Sequence, residues 1–178
     1  MKHLTLLFLA LVFAAGSCTA GSVEEFCTKF ASGAEVRVYR SFPQAKANRD
    51  SLELAKKAEC FELLGEVFYP EFKTLNAKDA TDWLARATNP DSYYPTAAPS
   101  DPKIEPIINA DIAFWCVTPD HKNEAYCLMS FSTSQVKVIA ISKGVTVAMT
   151  IELEKLSREI HQRYFKQELK IEKSVPLK

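Results

Sequence analysis

Beyond residue 20, the side chains with reactive sulfur or imidazole are Cys27, Cys60, Cys116, Cys127, His121 and His161. Thiols cross-link, bind metal or act as nucleophiles, and their spacing separates these roles. No interval here makes a Cys-x-x-Cys or zinc-ribbon pair, and neither histidine has a second histidine four residues away. The chain also lacks a Gly-x-Ser-x-Gly elbow, a phosphate loop and a Gly-x-Gly-x-x-Gly fingerprint, so no cofactor or metal is implied. Asp79 and Asp82 are explained by the start of a helix, and Asp120 with His121 by turn chemistry. Asp111 is the oddest carboxylate, because strand alternation puts it on the same face as Trp115. One enzymatic arrangement stays open: a small secreted hydrolase with a scattered site, such as His121 and Asp111 brought together by folding.

The cysteines gain meaning from the first twenty residues. Lys2 and His3 precede an apolar run from Leu4 to Ala15, and small residues follow up to Ala20. That pattern predicts a secretory signal over residues 1–20, too short for the roughly twenty apolar residues of a membrane span. An alternative cut before Cys18 would give a lipid-anchored cell-envelope lipoprotein, although Ala15 stands where that motif normally has leucine. Either cut leaves an even set of cysteines in an oxidising compartment, which predicts two disulfides. If Ala110–Thr118 and Ala125–Ser132 pair as a hairpin, Cys116 and Cys127 fall on one face with Ile112, Phe114, Met129 and Phe131. Cys27 and Cys60 are then left to join the first two helices, each bond worth about 3–4 kcal/mol by loop entropy.

The elements that position these residues read as follows. Val23, Phe26, Cys27 and Phe30 have helical spacing, and Gly33 is a stop. Glu35–Phe42 reads as a short strand, with a helix as the alternative. Asp50–Tyr69 reads as the strongest helix, with Leu54, Ala58, Phe61, Leu64 and Phe68 as its stripe and Pro70 as its end. A further helix covers Ala77–Thr88, capped by Asn76. Residues 89–106 hold five of the nine prolines and read as an ordered crossing pinned by Tyr93 and Tyr94. A hairpin, a strand over Val136–Ser142, a strand over Val145–Glu152 and a last helix through Leu156, Ile160 and Tyr164 complete the chain.

The expected fold is therefore α+β: N-terminal helices packed on a four-stranded antiparallel meander, followed by a C-terminal helix. It forms a single domain over residues 21–178. The C-terminal helix would take one sheet face and the N-terminal helices the other. That second face carries Ala113, Trp115, Val117, Tyr126 and Leu128, too apolar for water, and would otherwise line a ligand cavity. In order of elements alone this is similar to cone-shaped folds of the nuclear transport factor 2 type, in which the apolar hairpin face would line the pocket.

The 178 residues carry 22 basic and 22 acidic side chains, a formal net charge of zero, which disfavours nucleic-acid binding. The resulting expectation is a small exported, disulfide-stabilised, non-enzymatic binding protein, secreted or periplasmic. Its partner would be a protein or a small apolar ligand, with Trp115, Tyr126, Tyr93 and Tyr94 facing it. A variant of that reading is an inhibitor presenting the loop Thr118–Glu124.

Overall fold

The computed structural model describes residues 22–42, 59–96, 108–140 and 144–166. The expected signal over residues 1–20, the N-terminal part of the expected second helix and most of the proline-rich crossing lie outside them. Among the described residues no helix is long and apolar enough to cross a membrane.

Residues 22–30 form helix α1, with Val23, Phe26, Cys27 and Phe30 as its buried stripe. The chain turns at Gly33, whose φ of 104° is left-handed, and the Gly33 N–H donates to the Phe30 carbonyl at 3.1 Å. Strands β1 (Glu35–Ser41), β2 (Phe61–Leu63) and β3 (Glu66–Thr74) follow, then helix α2 (Ala77–Ala87). A short 3₁₀ turn at Pro90–Ser92 leads into β4 (Tyr93–Pro95). Strands β5 (Ile112–Val117), β6 (Glu124–Ser130), β7 (Gln135–Ile139) and β8 (Val145–Met149) precede helix α3 (Ile151–Phe165). The strands make one antiparallel sheet of eight in the order β2-β3-β1-β5-β6-β7-β8-β4, curled into a half-barrel.

This architecture corrects the expected four-stranded meander under N-terminal helices. The β5–β8 meander is present, but β1, β2, β3 and β4 extend it on both sides. The expected helix through Tyr69 is strand from Phe61 onward. Leu64 (φ 53°) and Gly65 (φ 82°) both take left-handed values, as a two-residue hairpin turn between paired Leu63 and Glu66 requires. Phe61 and Phe68, seven residues apart, look like one helical stripe, yet they are cross-strand partners with ring centroids 5.9 Å apart. Pro70 does not end an element. It sits inside β3, in the stretch opposite Arg40 where the β1 register shifts, a place that does not need its missing N–H. The expected crossing also begins as structure, since Tyr93–Pro95 pairs with β8 as an edge strand. Helices and strands are interleaved, so the likeness in element order to the cone-shaped folds does not hold.

All three described helices pack on the same sheet face. Val36, Val38, Ile112, Phe114, Cys116, Cys127, Met129, Val136 and Val138 form one core with Phe26 and Phe30 of α1, Trp83 and Leu84 of α2, and Leu153 and Ile160 of α3. Trp83 lies parallel to Phe114 with centroids 4.1 Å apart and donates its indole N–H to Ser157 Oγ at 3.0 Å. Helices α2 and α3 also share a polar clasp. Tyr164 and Asn76 donate to Asp79 Oδ2 at 3.0 and 2.9 Å, and Arg163 pairs with Asp79 Oδ1. Burial pushes the Asp79 carboxyl up, but the hydrogen bonds from Arg163 and Tyr164 outweigh it and hold it below the ordinary 3.8.

The disulfide scheme is also corrected: Cys27, Cys60, Cys116 and Cys127 are free thiols. The hairpin does put Cys116 and Cys127 on one face. Its register, however, pairs Cys116 with Ala125 and Cys127 with Phe114, leaving the two cysteines diagonal. Diagonal neighbours sit about 7–8 Å apart, whereas disulfides usually join Cα atoms about 4.4–6.8 Å apart. Cys27 lies in the helix-covered core, while Cys60 precedes edge strand β2. Burial pushes the Cys27 thiol up to about 11 and raises Cys116 and Cys127 as well, which suppresses the reactive thiolate.

Candidate functional site

The face away from the helices is where the remaining candidate side chains meet. In β1, Val36 and Val38 turn toward the helices, so Arg37 and Tyr39 turn the other way. The ladder then sets Arg37 beside Trp115, Trp115 beside Tyr126, and Tyr39 beside Phe72. The result is a lane of planar groups across β3, β1, β5 and β6. The Arg37 guanidinium carbon lies 4.9 Å from the Phe72 ring centroid and 4.6 Å from that of Trp115. Trp115 and Tyr126 stack with centroids 6.0 Å apart and planes 5° from parallel. Tyr39 touches Phe61, Phe72 and Trp115. Arg37 Nε also donates to Glu35 Oε1 at 2.6 Å, which fixes the guanidinium plane between strands.

The lane has a closed end and an open end. At the closed end Ile108 and Ala110 pack with Tyr39, Phe68, Ala113 and Leu128. A buried carboxylate holds that segment: Glu66 accepts from the N–H groups of Ile108, Asn109 and Ala110 at 2.9, 2.9 and 3.1 Å. Three backbone donors satisfy a buried charge that would otherwise be costly. At the open end Phe72 is 44% exposed, and Arg37, Trp115 and Tyr126 are half-buried. The Trp115 indole nitrogen is shielded from solvent yet has no hydrogen-bond partner among the described residues, and the same is true of Thr146 Oγ1 farther along the same face. Burial raises the Tyr39 phenol, with Arg37 opposing. Burial raises the Tyr126 phenol too, with Glu124 and Tyr39 adding to it, so both rings stay neutral over the ordinary pH range.

Of the four aromatic residues expected to face a ligand, the sheet brings together Trp115 and Tyr126. Tyr93 stands on the helix-covered face, paired with Met149, and its hydroxyl donates to the Ala87 carbonyl. Tyr94 is exposed on the distant edge strand β4, opposite Ala148. Arg37, Tyr39 and Phe72 were not among the expected residues. Their signal was the alternation in EVRVYRS, which places Arg37 and Tyr39 on a shared face once β1 is a strand. Phe72 had no signal while the segment before it was read as helix.

The scattered pair does not assemble. Asp111 precedes β5 and His121 follows it, so a six-residue strand, about 20 Å long, separates them. Asp111 Oδ2 instead accepts from the Phe131 N–H at 2.7 Å, and His121 takes a left-handed φ of 55° in the β5–β6 turn. That turn is held by Thr118 Oγ1 donating to Asp120 Oδ1 at 2.6 Å. Among the described residues no three metal-ligating side chains converge. Compared with protein-family models, curated proteins and solved structures, the chain matches none of them.

Proposed function

We propose that this is a non-enzymatic binding protein whose sheet face away from the three described helices receives an apolar ligand or an apolar segment of a partner protein along Phe72, Arg37, Trp115 and Tyr126. The observation that carries this reading is the half-open aromatic and guanidinium lane, in contrast to the filled opposite face. An exposed aromatic surface next to a rigid sheet offers large contact area at small entropic cost. Export through a signal over residues 1–20 belongs to the same proposal. Intact mass of the protein from its native host tests that part, since an uncut N-terminus would overturn it.

The two tryptophans make the binding part testable. Trp83→Phe leaves Trp115 as the sole indole reporter on the proposed surface. Titration with 1-anilinonaphthalene-8-sulfonate, an aromatic anion, is expected to change Trp115 emission saturably, and Phe72→Ser or Tyr126→Ser to weaken that response. Unchanged Trp115 emission in a folded protein, or equal binding by the serine variants, would remove the lane from the proposal.

A further inference from the structure

Beside the core contacts of Ile160 and Phe165, the far half of α3 packs against Phe131, an aromatic residue in the turn after β6. Phe131 is held in several ways at once. Its N–H donates to Asp111 Oδ2 at 2.7 Å, and its carbonyl accepts from Arg158 Nη2 at 3.2 Å. The Arg158 guanidinium carbon lies 4.6 Å from its ring centroid. The His161 ring meets it edge-on with centroids 5.9 Å apart, and touches Phe165 on its own helix at 5.6 Å. Arg158 is itself anchored by Glu154 Oε1 at 2.6 Å. His161 therefore sits in a largely apolar slot between α3 and the turn, with Arg158 one turn before it.

We propose that His161 is a pH-sensitive clasp: neutral, it seats the C-terminal half of α3 on the sheet, and its protonation in mildly acidic solution loosens that seat. The charges facing it come from every element packed there. Arg158 lies on α3 itself, Arg40 on β1 and Asp111 before β5, while Phe131 and Phe165 contribute only rings. Two arginines oppose a new positive charge. The one facing carboxylate already has an oxygen engaged by Phe131, and Arg158 already occupies the ring that a charged imidazole would seek. Burial, reinforced by Arg40 and Arg158 against Asp111, holds the imidazole below the ordinary 6.5. The sign follows: the unfolded chain takes up the proton first as pH falls. The stabilisation is complete above about pH 6.5 and is lost as pH falls through the folded-state value.

Trp83 reports on this seat, because its indole N–H donates to Ser157 of α3. In full-length protein carrying Trp115→Phe, Trp83 is the only indole. Its emission is expected to shift to the red, and the thermal midpoint to fall by a few degrees, between about pH 7.5 and about pH 5.0. Adding His161→Gln or His161→Phe is expected to flatten both changes. The slope between the two pH values is the readout, so a variant less stable at neutral pH still decides the matter. Equal slopes with and without His161, or an imidazole that titrates by NMR at its ordinary value or above, would overturn the proposal.

Discussion

The two tryptophans lie on opposite sides of one sheet and meet opposite conditions. Trp83 is fully buried, stacked on Phe114, with its N–H satisfied by Ser157. Trp115 is half-buried, flanked by a guanidinium and a phenol, and its N–H has no partner among the described residues. The first arrangement is a packed core, where each ring fills a space that nothing else fills. The second is an ordered surface, where side chains are aligned by strand register without being sealed. One backbone ladder produces both. A sheet gives its two faces the same spacing but leaves their covering to other elements, and here all three described helices take one side.

The largest expected effect lies on the covered side. Phe114→Ala removes the partner of Trp83 from the centre of the core and is expected to cost about 3–5 kcal/mol. Urea unfolding measures it, and a loss below 1 kcal/mol, roughly a surface-like value, would show that the covered face is not packed as described. Next comes Cys116→Ser, which places a hydroxyl among apolar neighbours and is expected to cost about 1–3 kcal/mol. The same site gives a chemical check. Denatured, never-reduced protein should label Cys27, Cys60, Cys116 and Cys127 with a maleimide, while the native fold protects Cys116 and Cys127.

Smaller effects belong to the helix contacts. Asn76 accepts from the Asp79 N–H at 2.9 Å, so Asn76→Ala is expected to cost about 1 kcal/mol in thermal or chemical unfolding. The Asp79 carboxyl, held below 3.8 mainly by Arg163 and Tyr164 against burial, adds a pH dependence. Its folded-state value is depressed, so its contribution is present above about pH 4 and is lost as pH falls through the folded value. Asp79→Asn should flatten that part of an acid-unfolding curve, and an unchanged curve would show that the α2–α3 clasp does not contribute. Smallest of all is Phe72→Ala on the open face. It removes one ring from above Arg37 and is expected to cost about 0.5–1 kcal/mol. A cost as large as that of Phe114→Ala would mean that the two faces do not differ.

Much of the C-terminal half could be read from the chain. The period of two in β8, the turn residues between β5 and β6, and the change to helical spacing from Leu153 each set local geometry, although the expected strand ran on to Glu152, where the helix has already begun at Ile151. Thr150 adds the cap, accepting from the Leu153 N–H at 3.3 Å, so α3 begins before the apolar stripe does. The N-terminal half was harder because Phe61, Leu64 and Phe68 fit a helix as well as they fit a hairpin. Only Gly65 marked the turn, and one glycine is a weak signal inside a long amphipathic pattern. Counting cysteines behind an expected export signal predicted bonds that the hairpin register does not make. A count says how many thiols exist, and register decides which of them can meet.

Alternation alone determined which side chains travel together: Phe114 with Cys116, Arg37 with Tyr39, Trp115 with Ala113. That much is local, because successive residues of a strand must point to opposite sides. Which of those sets became a sealed core and which an open lane was decided only when distant strands joined one sheet and α1, α2 and α3 settled on the same side of it. Such a choice depends on the total apolar area each packing removes from water, a quantity shared by the whole chain and written in no single segment.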